Sequence, residues 1–158
     1  MRPRVYVEST VISYLAARPS KDPIIESHQL ISRKWWNSRR GRFDLIISEQ
    51  VLLEIEAGDP DAAQRRMDLI RDIPIVRLTD DVEAVAMRLV RAGAVPASSI
   101  EDATHIAAAA VHGAEFLLTW NCRHIANAAV RTLIERTCWE CGYAACIICT
   151  SEELMADE

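Results

Sequence analysis

Short apolar runs of β-forming residues alternate with helical segments along the whole 158-residue chain. The apolar runs predict five strands, at residues 5–8, 43–48, 74–78, 116–119 and 146–149. The intervening patterns and end signals predict helices at residues 11–17, 23–37, 49–58, 60–71, 80–92, 100–112 and 125–140, with a last turn at 151–155. Such alternation is typical of a mostly parallel sheet covered by helices on both faces, so we predict a three-layer α/β/α sandwich. No linker or repeat divides the chain, and residues 1–158 are expected to form a single domain.

The first predicted strand ends in an acid. Val5, Tyr6 and Val7 precede Glu8, and the residues that follow, Ser9 and Thr10, are good N-caps for the next helix. Ligands of open α/β sheets bind beyond the carboxyl ends of the strands, which is where Glu8 is expected. A carboxylate at such a place is costly unless a positive group meets it.

Three further polar residues are expected near the same edge of the sheet. Glu54 lies in the helix after the second strand, Asp102 in the first turn of the helix at 100–112, and Asn121 just past the fourth strand. Carboxylates gathered in one crevice repel one another unless cations bind, and oxygen ligands suit Mg²⁺ or Mn²⁺. Two such ions would clamp a phosphodiester and activate water, which is the chemistry of a hydrolytic nuclease.

Each of these residues also has a purely structural interpretation. Glu54 could be one more solvated glutamate, and Asp102 could complete a capping box with Ser99. His105 lies one turn after Asp102 on the same side of the helix, and a supporting or packing histidine is a simpler interpretation of it than a general base.

A basic segment ends the second predicted helix. The net charge of −5 gives the chain no overall basic field, so any contact with nucleic acid must be local. Basic side chains interleaved with tryptophans could bind phosphates and stack on bases, or they could answer the helix dipole while one tryptophan packs in the core and the other at a subunit contact. The residues concerned are Arg33, Lys34, Trp35, Trp36, Arg39, Arg40 and Arg42.

The cysteine content indicates a reducing compartment. All five cysteines lie in the last quarter of the chain, an odd number for a disulfide framework. The pairs Cys138/Cys141 and Cys146/Cys149 have zinc-ligand spacing, but only four residues separate the pairs, and free cysteine in a strand behaves as a small hydrophobe. We find no cationic leader and no apolar run of the roughly 18 residues that span a membrane, so we expect a cytoplasmic protein with no membrane partner.

Four segments together resemble the PIN-domain family, and most closely its VapC-type toxin branch. They are residues 4–15 (RVYVESTVISYL), 48–54 (SEQVLLE), 101–107 (EDATHIA) and 117–125 (LLTWNCRHI), in the order found in the family. The resemblance implies an α/β/α sandwich, RNA cleavage that depends on Mg²⁺ or Mn²⁺, homodimerisation and, for toxins, an antitoxin that occupies the cleft.

The resemblance also implies roles for individual residues. It makes Glu8, Glu54 and Asp102 the metal-binding acids, places Thr10 near the first metal, and puts Asn121 where the family often has a fourth acid. Glu8 stands in place of the usual aspartate, and its longer arm must retract. Because Asn121 is neutral, the missing negative charge should weaken a second metal most.

The sequence therefore predicts a metal-dependent endoribonuclease, the toxin of a type II toxin–antitoxin pair, in which Asn121 orients ligand or water. The alternative is a catalytically weak or inactive PIN-like module that binds RNA or a protein. A receiver-like aspartyl-phosphate domain is set aside because the only lysines, Lys21 and Lys34, do not end a strand.

Overall fold

The computed structural model describes residues 1–155, so the last three residues of the predicted domain lie outside the described range. The strands are β1 (Arg4–Val7), β2 (Asp44–Ser48), β3 (Ile75–Val76), β4 (Phe116–Leu118) and β5 (Ile147–Cys149). The α-helices are α1 (Ser9–Ala16), α2 (Pro23–Ser38), α3 (Glu49–Ile55), α4 (Pro60–Leu69), α5 (Asp80–Arg91), α6 (Ile100–Val111) and α7 (Ala128–Glu140). Among residues 1–155, none of the helices combines the length and the apolar character that crossing a membrane requires.

The strands form one parallel sheet in the order β3-β2-β1-β4-β5. β1 is central and pairs with β2 on one side and β4 on the other. Because all five strands run the same way, their carboxyl ends meet along one edge, which we call the carboxyl edge. The predicted α/β/α sandwich is confirmed.

The central strands are buried on both faces, as expected for a parallel sheet. Val5, Tyr6 and Val7 of β1 have no exposed surface, and neither do Leu117 and Leu118 of β4. The alanine-rich stretch 107–110 of α6 is buried as well. Because α6 leads into the amino end of β4, its first turn lies beside the carboxyl edge.

The caps of two helices differ from the sequence prediction, and α7 begins at Ala128, three residues later than predicted. The N-cap of α1 is Glu8, whose carboxylate accepts a hydrogen bond from the Thr10 amide at 3.0 Å. Ser9 and Thr10 do not cap because their hydroxyls donate to Glu54 and Glu8. The predicted capping box of Ser99 is also wrong, since residues 97–99 form a 3₁₀ turn and the Ser99 side chain makes no capping hydrogen bond.

Arginine side chains satisfy carbonyl groups at several helix ends. Arg33 donates to the Ala17 carbonyl at the end of α1 at 2.7 Å, and Arg66 donates to the Ile55 carbonyl at the end of α3 at 2.8 Å. Carbonyls at a helix C-terminus lack intrahelical donors and carry partial negative charge, so cations stabilise them. Arg33, one of the expected RNA contacts, thus stabilises the C-terminus of α1.

Candidate active site at the carboxyl edge

Glu8 is held by hydrogen-bond donors where β1 ends. Its side chain is almost completely buried, and its carboxylate accepts from the amide of Thr10 and from the hydroxyls of Thr10 and Thr119. A buried carboxylate is costly unless its lone pairs are satisfied, and here three donors satisfy them. The bonds to Thr10 also fold the glutamate arm back toward the start of α1.

Glu54 approaches from α3. One of its oxygens lies 2.6 Å from the Ser9 hydroxyl and 2.6 Å from Nε2 of His105, and Gln50 donates to the other at 3.3 Å. Burial by itself raises the pKa of the Glu54 carboxyl, but the hydrogen bonds and charge of His105, with the bonds from Ser9 and Gln50, outweigh it and hold that pKa below its usual range. The carboxyl is therefore ionised at neutral pH.

His105 contacts Glu54 directly from within the core. The imidazole is fully buried, and its Nδ1 lies 2.7 Å from the Tyr6 hydroxyl, which is itself 2.7 Å from the Ser48 hydroxyl. Burial lowers the pKa of His105, but the bond to Glu54 and the negative charges of nearby carboxylates raise it above its usual value overall. A buried polar chain thus runs from Ser48 through Tyr6 and His105 to Glu54.

A group that could hold a metal ion forms where these side chains converge. Glu8, Glu54 and His105 each offer one donor atom, and these atoms all lie within 4.8 Å of one another. In residues 1–155, no cysteine belongs to a group of this kind. Burial raises the pKa of Cys138 to about 11 and those of Cys146 and Cys149 to about 12, which keeps these thiols protonated at neutral pH.

Asp102 belongs to a second, adjoining group. One of its oxygens accepts from the Asn121 side-chain amide at 3.0 Å, and the other lies 2.8 Å from Nδ1 of His124. The Asn121 backbone donates in turn to the Thr119 hydroxyl, which donates to Glu8. The two groups are therefore connected through Thr119, and the structure brings Glu8, Glu54, Asp102, Asn121, Thr10 and His105 to one edge.

Sequence reasoning missed His124, Thr119, Ser9 and Tyr6. His124 could have been identified from the sequence, because the segment Asn-Cys-Arg-His comes shortly after a buried strand. Tyr6 was not, because a tyrosine in an apolar strand carries no signal that its hydroxyl meets a buried histidine.

Three of the expected RNA contacts lie away from the acids. Arg39, Arg40 and Arg42 lead into the amino end of β2, and Arg39 and Arg42 line a groove with Pro3 and Phe116 at the amino ends of β1 and β4. This is the edge opposite the acids. The guanidinium of Arg40 lies 4.1 Å from the ring centre of Trp36, the half-buried tryptophan of the pair.

The other residues of the basic segment are placed differently. Trp35 is fully buried and stacks on Phe43 with ring centres 5.8 Å apart, as expected for the core tryptophan. Lys34 is exposed on α2, and Arg33 caps α1. An RNA-binding role for Arg33, Lys34, Arg39, Arg40 and Arg42 remains a prediction.

The chain shares its fold with proteins of known structure, although no protein-family profile and no curated protein sequence matches it. VapC20 of Mycobacterium tuberculosis, described as a sarcin-ricin loop cleaving toxin, superposes with a TM-score of 0.58 at 18% identity, over 77% of this chain and 93% of that one. VapBC2 from Rickettsia felis, bound to a DNA fragment from their promoter, gives a TM-score of 0.60 at 12% identity, over 93% and 98%. The chain thus has the fold of these structures, as the resemblance stated from the sequence implies for its fold.

Proposed function

We propose that this protein is a metal-dependent endoribonuclease that hydrolyses phosphodiester bonds of RNA. The observation that carries the proposal is the convergence of Glu8, Glu54 and His105 at the carboxyl edge of the sheet. That edge is the ligand-binding place of open α/β sheets. The likeness in fold to VapC20, which is described as cleaving the sarcin-ricin loop, supports RNA as the substrate.

Glu8 and Glu54 would hold the divalent ion, Mg²⁺ or Mn²⁺, and Asp102, the third acid that the sequence predicts, lies in the adjoining group. The donor chemistry fits, since carboxylate oxygens are preferred by both ions and the donor atoms of Glu8 and Glu54 lie within 4.8 Å of each other. A divalent ion there would supply Lewis-acid stabilisation of charge developing on the phosphodiester and would make water a better nucleophile.

The surrounding hydroxyls hold the two glutamates in place for this task. Thr10 and Thr119 donate to Glu8, while Ser9 donates to Glu54. Fixing both carboxylates before substrate binds reduces the reorganisation that catalysis would otherwise require. The retraction of the Glu8 arm by Thr10 accounts for a glutamate at a position where the family usually has an aspartate.

Asn121 takes part as a donor. Its amide bonds Asp102 at 3.0 Å, so it would orient that carboxylate. The basic residues Lys34, Arg39, Arg40 and Arg42 would attract more distant parts of the RNA through local charge.

We further propose that the protein is the toxin of a type II toxin–antitoxin pair and that it works in the cytoplasm as a homodimer. Support comes from the Rickettsia felis structure, a VapBC2 assembly whose toxin-like fold this chain shares. A neighbouring gene for a small DNA-binding protein is expected, and its product should suppress the ribonuclease activity. Ribonuclease activity that this product leaves unchanged would remove the toxin assignment.

Cleavage of a mixed RNA pool in the presence of Mn²⁺ tests the nuclease proposal. Glu54→Gln should lower the rate at least about tenfold, since losing one metal ligand or its support typically has an effect of that size. Glu56→Gln, which changes an exposed glutamate just after α3, is the matched control and should cleave like the wild type. Equal rates for wild type and Glu54→Gln would refute the proposal.

A second candidate function is an RNA- or protein-binding module with little or no catalysis. It is favoured by one observation, that both oxygens of Asp102 are engaged by Asn121 and His124. Titration calorimetry with Mn²⁺, with and without RNA, separates the two candidates. Absence of Mn²⁺ binding in both experiments would favour the binding module.

A further inference from the structure

We infer that His105, in place of Asp102, completes the metal centre with Glu8 and Glu54. The inference rests on the proposed function for the presence of a metal ion. It specifies which side chains hold the ion. The sequence predicts only oxygen ligands from acids, whereas His105 adds a nitrogen ligand.

The donor atoms of the inferred metal centre already lie close together. One atom each from Glu8, Glu54 and His105 lies within 4.8 Å of the others, whereas Asp102 is not part of this group. The two oxygens of Asp102 are held by Asn121 and His124 at 3.0 and 2.8 Å. Asp102 therefore lies outside the centre, whereas Nε2 of His105 already faces Glu54 at 2.6 Å.

A hydrogen bond to the second ring nitrogen holds the imidazole of His105 in place. Histidines that ligate metals almost always have the other ring nitrogen held by a hydrogen-bond partner, which fixes the ring and its tautomer. Here Nδ1 of His105 meets the Tyr6 hydroxyl at 2.7 Å, and that hydroxyl meets Ser48 at 2.7 Å. Tyr6 can accept from Nδ1 and donate to Ser48, so a metal ion that displaces the Nε2 proton would find the Nε2 lone pair directed at the carboxylates.

Burial of the hydrogen-bonded side chains of Ser48, Tyr6 and His105 holds the imidazole rigidly. Tyr6, Ser48 and His105 have no exposed surface, so the imidazole cannot swing away to solvent. The contact of 2.6 Å between Nε2 and Glu54 is the one that a shared ion would replace. The preformed arrangement is therefore suited to two carboxylates and one imidazole around a single ion.

The choice of metal follows from this donor set. Mg²⁺ takes oxygen ligands and keeps much of its water, whereas imidazole nitrogen suits first-row transition ions. We therefore expect Mn²⁺ and Co²⁺ to bind at least tenfold more tightly than Mg²⁺, measured by titration calorimetry on the full chain. Equal affinity for Mn²⁺ and Mg²⁺ would contradict a nitrogen ligand.

Pulsed electron paramagnetic resonance of the Mn²⁺-loaded protein tests the inference directly, because an imidazole bound to Mn²⁺ gives a ¹⁴N coupling. The wild type should show this coupling, and His105→Gln should lose it and bind Mn²⁺ at least tenfold more weakly. His112→Gln, at a histidine outside the site, and His124→Gln, beside Asp102, should both keep the signal. Thermal unfolding of each variant confirms that it is folded.

The outcomes separate the inference from the proposed function. Mn²⁺ bound to the wild type without ¹⁴N coupling, or a coupling lost in His124→Gln, would overturn His105 as the ligand and leave a metal-dependent nuclease intact. Absence of any Mn²⁺ binding would overturn both. If His105→Gln does not fold, wild-type protein with ¹⁵N-labelled histidine, compared with His124→Gln labelled in the same way, decides the assignment from the change in the coupling.

Discussion

The side-chain amide of Asn121 donates to the carboxylate of Asp102 at 3.0 Å. The polar residues at the carboxyl edge form two groups, and this bond lies within the second. Glu8, Glu54 and His105 converge in one, and Asp102 with its two partners forms the other. A neutral amide at position 121 therefore stabilises the charge of Asp102, where an acid would repel it.

Replacing Asn121 by aspartate should make the protein depend more on divalent ions. Two carboxylates at this distance repel each other by roughly 1 to 4 kcal/mol at a partly exposed site. We expect Asn121→Asp to lower the Tm in chelator and to recover more stability than the wild type when Mn²⁺ is added. Asn127→Asp, at a helix cap where aspartate serves as well as asparagine, is the control. The same Mn²⁺ response in both variants would contradict the expectation.

Removing the Tyr6 hydroxyl should destabilise the fold with almost no change in shape. Tyr6→Phe leaves buried polar atoms of Ser48 and His105 without their shared partner. An unsatisfied buried group costs about 1 to 3 kcal/mol, and urea unfolding measures it. Tyr143→Phe, at a half-buried tyrosine after α7, should stay within about 0.5 kcal/mol of the wild type. An equal loss of unfolding free energy in the two variants would show that the hydrogen bonds of the Tyr6 hydroxyl add no stability beyond that of a half-buried tyrosine.

The stability of the metal-free protein should depend on pH through the Glu54–His105 pair. The pKa of Glu54 is lowered from 4.5, so its contribution is full above that value and is lost as the pH falls through the lowered pKa. The pKa of His105 is raised from 6.5, so its contribution is full below that value and is lost as the pH rises through the raised pKa.

The difference in unfolding free energy between wild type and His105→Gln, measured in chelator, should therefore be largest between pH 4.5 and 6.5 and smaller on both sides. A difference that stays constant across the pH range would show that the pair does not titrate as described.

Cysteine labelling should distinguish the buried thiols from the exposed one. Cys122 is exposed, whereas Cys149 is buried and its pKa is raised to about 12. Because the thiolate is the reactive form, iodoacetamide at pH 8 should modify Cys122 at least about tenfold faster than Cys149, as followed by mass spectrometry. If chelators released protected cysteines at 138–149, a zinc site would be present there.

The basic segment should affect RNA affinity and leave the chemical step unchanged, because Arg39, Arg40 and Arg42 lie at the opposite edge of the sheet from the acids and Lys34 is exposed on α2. Lys34→Ala combined with Arg42→Ala should raise KM several-fold and reduce the salt dependence of KM, with kcat unchanged. Arg91→Ala, an exposed arginine at the end of α5, is the control. A double variant with the same KM as Arg91→Ala would show that RNA does not reach this edge.

The fold was predictable because local signals in this chain agree with one another. Asp22-Pro23 and Asp59-Pro60 start helices at the expected positions, with both aspartates capping through their side chains. The N-terminus of α1 was not predictable in the same way. Ser9 and Thr10 have the right chemistry for a cap, but their hydroxyls are used by glutamates that come from the site.

The candidate site was predictable only in part, for a similar reason. Acids at strand ends and in the following helices could be assigned to one edge from topology alone. The pairing of His105 with Glu54 and of Asp102 with His124 could not, because the first joins residues about 50 positions apart in the sequence and the second depends on the turn that carries His124. Distances of this kind are set by packing and leave no local pattern.

The most direct test of a metal-dependent ribonuclease is RNA cleavage by the wild-type protein before and after removal of its metal. The protein treated with chelator and then dialysed should cleave a mixed RNA pool at background rate, and adding Mn²⁺ should restore cleavage in the wild type and not in Glu8→Gln. Cleavage that persists at full rate in chelator, or that Glu8→Gln recovers as well as the wild type does, would contradict the account.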